Sequence, residues 1–355
     1  MGTREGRLGD HARQHGPGSH GVGPRRYVGL FEAAELSFTY PSGRRGLGKV
    51  SLKGVPGDRV VVMGPNGSGK STLLRLVSTE LPARPGSLEL FGEAWGSSSS
   101  DSRKRRDLRK RIGIVQDTPV HVEDLTGMEN GLLFAELYGL PRAEALAAFA
   151  SLFTALGLDD ALHVPTREYS YGMKKKLLIV EALVHDPDLL IMDEPVLGLD
   201  PPSRAALLRT LEERTGKGVC TLIATNEPTL AQELATTVVL LHEGEVVALG
   251  SPAELLAEVG NTTLIEVHVA GAPDPTKIDP ALDKGSAQLP ADIVSIRQIP
   301  GRIIAESRSG SDVLPQLVGA VLAEGLRIER VEIREPNLTD VFTLFTGQAL
   351  GGESP

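Results

Sequence analysis

The chain has 355 residues, 41% of them hydrophobic, and a formal net charge of -9. The length points to about two domains with at least one full core, and the charge excludes a surface attractive as a whole to nucleic acid or anionic lipid. Cys220 is the only cysteine, so an internal disulfide is excluded and a reducing compartment, the cytoplasm, is expected.

Residues 1–27, rich in Gly, Arg and His, have no apolar run of the signal-peptide kind and read as a disordered, solvated arm. His11, His15 and His20 within it are spaced unlike a compact metal site. Phe31 to Thr39 predicts a strand, a second runs up to Gly64, and the residues after Lys70 predict a helix. The basic run Arg103 to Arg111 reads as a solvated helix face, ahead of a short strand ending at Gln116. From Val120 to Val180 the pattern turns helical, an insertion at about 118–182. Its longest apolar stretch, Ala145 to Leu158, falls short of the roughly 18 to 20 residues a membrane span needs, so a membrane role must come through a partner.

Strands and helices then alternate as far as Gly250, which predicts a largely parallel sheet with helices on both faces. The helix after Ser251 and a polar joint close a first domain, 28–260. Residues 261–348 read as a smaller α/β unit of roughly ferredoxin-like content, with 349–355 as a flexible tail. The acids and arginines of this unit are scattered, so a regulatory or dimer-stabilising role is expected of it rather than catalysis.

Two motifs carry chemistry. "GPNGSGKST", Gly64 to Thr72, follows a strand and opens a helix, the context in which G-x-x-x-x-G-K-[ST] cradles phosphate. Gly64, Gly67 and Gly69 let the backbone around Pro65, Asn66 and Ser68 curl so that its N–H groups converge on an anion, with the following helix dipole behind them. Lys70 then reaches the β- and γ-phosphates, while Ser71 is a Mg²⁺ ligand. The second motif ends an apolar strand with Asp193 and Glu194, where open α/β sheets place their ligands. Asp193 fits a Mg²⁺ partner, and Glu194 a general base acting on the attacking water.

In this order the motifs resemble the nucleotide-binding subunits of ABC transporters, from about Phe31 to Leu256. The resemblance implies a P-loop NTPase of the ABC type, a mixed sheet core with a helical subdomain and the small C-terminal α/β domain appended. It implies that Tyr40 stacks on adenine and that Gln116 senses Mg²⁺ and touches a membrane subunit. "YSYGM", Tyr169 to Met173, stands at the family signature, whose usual form is Leu-Ser-Gly-Gly-Gln, so that Ser170 and Gly172 cap the γ-phosphate held by an opposite subunit. "GLDP", Gly198 to Pro201, matches the loop after the second carboxylate and adds Asp200 to the nucleotide-binding set. Lys174, Lys175 and Lys176 add positive potential, with a solvated face expected for at least two of them.

The strand after the second carboxylate ends, in that family, in a histidine that contacts the γ-phosphate. Asn226 stands there. Its amide donates to a phosphate oxygen but carries no charge, and losing such a contact costs on the order of 3 kcal/mol of barrier, roughly a hundredfold in rate. Slow hydrolysis follows as an expectation, with Asn226 as a cap of the helix near Pro228 as the alternative. The stretch Arg334 to Gly347 is similar to the C-terminal extension of drug-exporter ATPases of the daunorubicin and doxorubicin resistance type.

The resemblance thus implies an ATP- and Mg²⁺-dependent ATPase that works as a head-to-tail homodimer or heterodimer. It would sit at the cytoplasmic face of the membrane and drive a separate integral-membrane permease docked near Gln116, with no nucleic-acid partner. A nucleotide-dependent switch with negligible turnover, or an ABC ATPase without a transport role, are the alternatives.

Overall fold

The computed structural model describes residues 29–96, 102–260, 262–270, 292–299, 301–348 and 350. The N-terminal arm with its three histidines, and the tail apart from Leu350, lie outside them. No helix among the described residues is long and apolar enough to cross a membrane.

A six-stranded sheet forms the centre. Its strands are β3 (Arg59–Met63), β6 (Ile112–Val115), β7 (Leu189–Asp193), β8 (Cys220–Thr225), β9 (Thr237–His242) and β10 (Glu245–Gly250), in the order β10-β9-β3-β8-β7-β6. All neighbours pair in parallel except β10, which runs antiparallel to β9. Residues such as Val60 to Met63 form a continuous apolar run because both faces are buried. Val60 and Val62 face one core and Val61 and Met63 the other.

Helices lie on both faces, as the alternating pattern predicted, but unequally. One face packs on a second, antiparallel sheet of order β2-β1-β4-β5, built from β1 (Phe31–Thr39), β2 (Arg45–Gly54), β4 (Leu88–Leu90) and β5 (Glu93–Trp95). Helix α1 (Lys70–Val77) buries Leu73, Leu76 and Val77 in the core between these sheets. The other face carries the helices α3 (Gly127–Tyr138), α4 (Arg142–Ala155), α5 (Tyr171–Leu183), α6 (Pro201–Gly216), α7 (Pro228–Leu234) and α8 (Pro252–Val259), whose buried residues share one core with it. Helix α2 (Ser102–Arg109), holding most of the basic run, buries none of its residues.

The C-terminal unit is a four-stranded antiparallel sheet of β11 (Thr263–Ala270), β12 (Ile293–Ile299), β13 (Arg302–Ser307) and β14 (Arg327–Arg334), in the order β12-β13-β11-β14. That order is the split pairing of a ferredoxin-like sheet, and α9 (Leu314–Ala323) covers one face through Leu317 and Val321. The last helix, α10 (Leu338–Thr346), leaves its own sheet. Leu338, Val341 and Phe342 join the helical core of the first domain, where Phe342 meets the edge of His242 at 5.7 Å. Arg334 bonds Glu266 at 2.8 Å and both oxygens of Asp340 at 2.6 and 2.9 Å, tying the accessory sheet to the start of α10.

Candidate active site

The loop from Gly64 to Gly69 links the buried end of β3 to α1. A Cβ at Gly64 would lie 2.1 Å from the carbonyl of Leu241, so no side chain fits there. Gly69, the N-cap of α1, has φ 109, a conformation that glycine alone adopts readily, and its open side abuts the Gly46 carbonyl. Lys70 is buried, and its ammonium donates to the carbonyls of Gly64 at 2.6 Å and Pro65 at 3.3 Å. Burial pulls Lys70 below the usual lysine range, and the charges of Glu194 and Asp193 offset part of that. The Ser68 hydroxyl is buried without a partner.

Two clefts meet at Ser71, and Lys70 lines the first of them. One, of about 290 Å³, is lined by Tyr40, Arg44, Asn66, Gly67, Ser71 and Thr72 among others. Tyr40 donates to or accepts from the Thr72 hydroxyl at 2.9 Å, and the Arg44 guanidinium sits 5.0 Å from the centre of its ring, so one face of the ring predicted to stack on adenine is covered by a cation. The other cleft, of about 330 Å³, brings together Ser71, Gln116 and Asp193, the three predicted Mg²⁺ ligands. All three offer hard oxygen donors, which fits that ion, and the curled loop with its unpartnered Ser68 hydroxyl fits phosphate.

Glu194 follows β7 with φ 44, a left-handed conformation that is strained for a residue with a side chain. Its backbone N–H donates to the Ala224 carbonyl at 2.9 Å, while its carboxylate accepts from the Thr225 hydroxyl at 3.1 Å. Burial pushes the Glu194 carboxyl above the usual carboxylate range, with the Thr225 hydrogen bond and the Lys70 charge acting against it. Thr225 was not singled out from the sequence. The register brings it there: Asp193 pairs with Ala224, so Glu194, just past β7, falls beside Thr225, the last residue of β8.

Asn226 donates from Nδ2 to Oδ1 of Asn66 at 3.2 Å, and its own Oδ1 is buried without a partner. It does not cap α7. Glu227 holds the N-cap position, without a side-chain cap bond, so the structure overturns that alternative.

The signature residues lie at the start of α5. Ser170 is the N-cap, its hydroxyl accepting from the Met173 N–H at 3.2 Å, and a Cβ on Gly172 would sit 2.9 Å from the Gly198 carbonyl. Tyr171, in place of a glycine, donates to the Asp117 carbonyl at 3.2 Å and packs over Gly198. Asp200 accepts from the Ser203 N–H at 2.8 Å as the cap of α6 and lines neither cleft. Lys174 and Lys176 remain partly exposed, whereas Lys175 is fully buried.

A phosphate-cradling loop between a buried parallel strand and a helix, faced by strand-end carboxylates, defines a P-loop nucleotide-binding protein of the α/β class. The family model described as "ABC transporter" matches residues 47–197. A daunorubicin resistance ATP-binding protein, DrrA3 of Streptomyces coeruleorubidus, is 31% identical over 287 residues, 81% of this chain and 86% of that protein. A cobalt import ATP-binding protein, CbiO of Rhodobacter capsulatus, is 32% identical over 260 residues, 73% of this chain and 90% of that one. A solved ATP-binding subunit of an ABC transporter matches with a TM-score of 0.59 and 32% identity, covering 65% of this chain and 93% of its own. The chain belongs to the ABC transporter family as an ATP-binding subunit, and it is an ATPase.

Proposed function

We propose that this subunit hydrolyses Mg²⁺-ATP at the interface of a head-to-tail dimer and drives an exporter whose permease is a separate chain at the membrane. The observation that carries the reading is the convergence of Ser71, Gln116 and Asp193 on one cleft beside Lys70, with Glu194 held by Thr225. Lys70 would neutralise the β- and γ-phosphates, and Glu194 would take the proton of the attacking water. Ser71, Gln116 and Asp193 would hold Mg²⁺, which supplies charge neutralisation at the phosphates. Ser170 and Gly172 would serve the nucleotide held by the opposite subunit.

Export rests on two supports: the match to the daunorubicin resistance protein takes in more of this chain than the match to the cobalt importer, and the extension carries "NLTDVF" in the exporter manner. Docking of a permease is supported by apolar surface beside Gln116, where Val120, 70% exposed, lines the same cleft.

Asn226 favours a slow enzyme, because its amide brings no charge to the phosphate that a protonated imidazole would meet. Steady-state ATP hydrolysis should be measurable, abolished in Glu194→Gln, and raised roughly ten- to a hundredfold in Asn226→His. Absence of turnover in the wild-type chain with nucleotide bound would favour the switch over the engine.

A further inference from the structure

Lys175 stands on the second turn of α5, in the helix that opens with the signature. Its side chain is fully buried, and its ammonium donates to three backbone carbonyls: Asp117 at 2.7 Å, Gln116 at 2.9 Å and Asp193 at 3.3 Å. An ammonium has three N–H donors, and here each has an acceptor. A buried cation is costly unless so satisfied, and an apolar residue would fill the space at less expense. The three carbonyls come from two separate segments, the end of β6 and the end of β7, and both carry a side chain that lines the Mg²⁺ cleft.

We propose that Lys175 is a positioning residue. It fixes the backbones of Gln116 and Asp193 to the signature helix, so that the spacing of two Mg²⁺ ligands follows the position of the helical lobe. This rests on the reading of Gln116 and Asp193 as Mg²⁺ ligands. The pin joins three parts that sequence reading treats as separate motifs: the loop at Gln116, the carboxylate strand and the signature helix. The flanking lysines have other tasks, Lys174 bonding Glu123 at 3.1 Å and Lys176 the Gly157 carbonyl at 3.2 Å.

The test compares wild type, Lys175→Met and Lys175→Arg in the full chain. The readouts are kcat, KM for ATP, the Mg²⁺ concentration giving half-maximal rate, and Mg²⁺ binding to the ATP-loaded protein by calorimetry. In Lys175→Met, kcat should fall roughly ten- to a hundredfold, since small displacements of positioned groups cost that much. Mg²⁺ affinity should fall with it, while ATP binding measured in EDTA stays within about twofold. Lys175→Arg, which keeps the charge and several donors, should recover a large part of both losses.

An unchanged Mg²⁺ dependence in Lys175→Met overturns the proposal, even if the melting temperature drops, because Lys175 would then be a structural pin alone. Equal loss of ATP and Mg²⁺ binding without rescue by arginine overturns it too, as collapse of the site. Wild-type turnover tests the reading of the site by itself. Should turnover be nil, calorimetric Mg²⁺ affinity still decides the role of Lys175.

Discussion

The proposed base, Glu194, is governed by what surrounds its carboxylate. Burial raises its pKa, and the Thr225 hydroxyl restrains that rise. A base works when ionised, so activity should fall as the pH drops through a value above the usual carboxylate range. Removing the hydroxyl in Thr225→Val takes away a bond to the charged form. The acid limb of the kcat profile should therefore move to higher pH, with kcat lowered roughly tenfold on that limb and little change on the alkaline side. A profile superimposable on wild type would mean that Glu194 is not the titrating base. At this scale the sequence is legible where the backbone repeats a fixed geometry: the glycines at 64, 67 and 69, Lys70, and two acids at a strand end. Thr225, Lys175 and the capping role of Asp200 were not legible, because each depends on which loops the fold brings together. A lysine in a run of three looks solvated until the neighbouring loops supply three carbonyls.

Among the elements, the helical lobe is joined to the Gln116 loop by a second buried polar pair. His121 and Glu181 are each 1% exposed at the side chain; Nδ1 of the histidine lies 3.2 Å from Oε1 of the acid, and Nε2 lies 2.9 Å from the Lys174 carbonyl. Burial alone would lower the histidine, but the hydrogen bond and charge of Glu181 outweigh it and raise its pKa; burial raises the acid. Both shifts mean that the folded state holds protons more firmly than the unfolded chain. Stability from the histidine is therefore fully present below its ordinary value and is lost as pH rises through the raised one. The thermal midpoint should decline above neutrality, and His121→Gln should lower it throughout while flattening that slope. An unaltered slope would assign the effect to other groups. The helices of this lobe were legible from their apolar spacing, and Gly127–Tyr138 starts with a full capping box between Thr126 and Glu129. Strand β2 was not, since "RGLGKVSLKG" has three glycines, and β5 hid in a polar stretch because it has three residues and takes its partner from β4.

Taken whole, the molecule is less divisible than its sequence. The polar joint after α8 looked like the end of the nucleotide domain, and the accessory sheet does have its own core around Ile265, Val267 and Leu317. Yet α10 returns to pack with α7, α8 and β10, and Phe342 is fully buried there. Phe342→Ala should destabilise the nucleotide domain by about 3 to 5 kcal/mol, read as a lower denaturation midpoint of the ATPase core with the accessory sheet still folded. If only the accessory sheet loosened, α10 would be peripheral to that core. Hydrophobic spacing had marked α10 as a helix, but which sheet it covers is a tertiary choice that no local pattern records.

That return makes the accessory sheet an insert rather than an appendage. Its entry follows α8 and its exit is α10, and these two helices lie against each other, so both attachment points share one patch of the nucleotide domain. The core of that domain consequently draws on residues from both sides of the insert, and truncation at the joint would take Leu338, Val341 and Phe342 out of it. A ligand or neighbour that turned the insert would therefore bear on this helix pair, and through α10 on β10 at the rim of the central sheet.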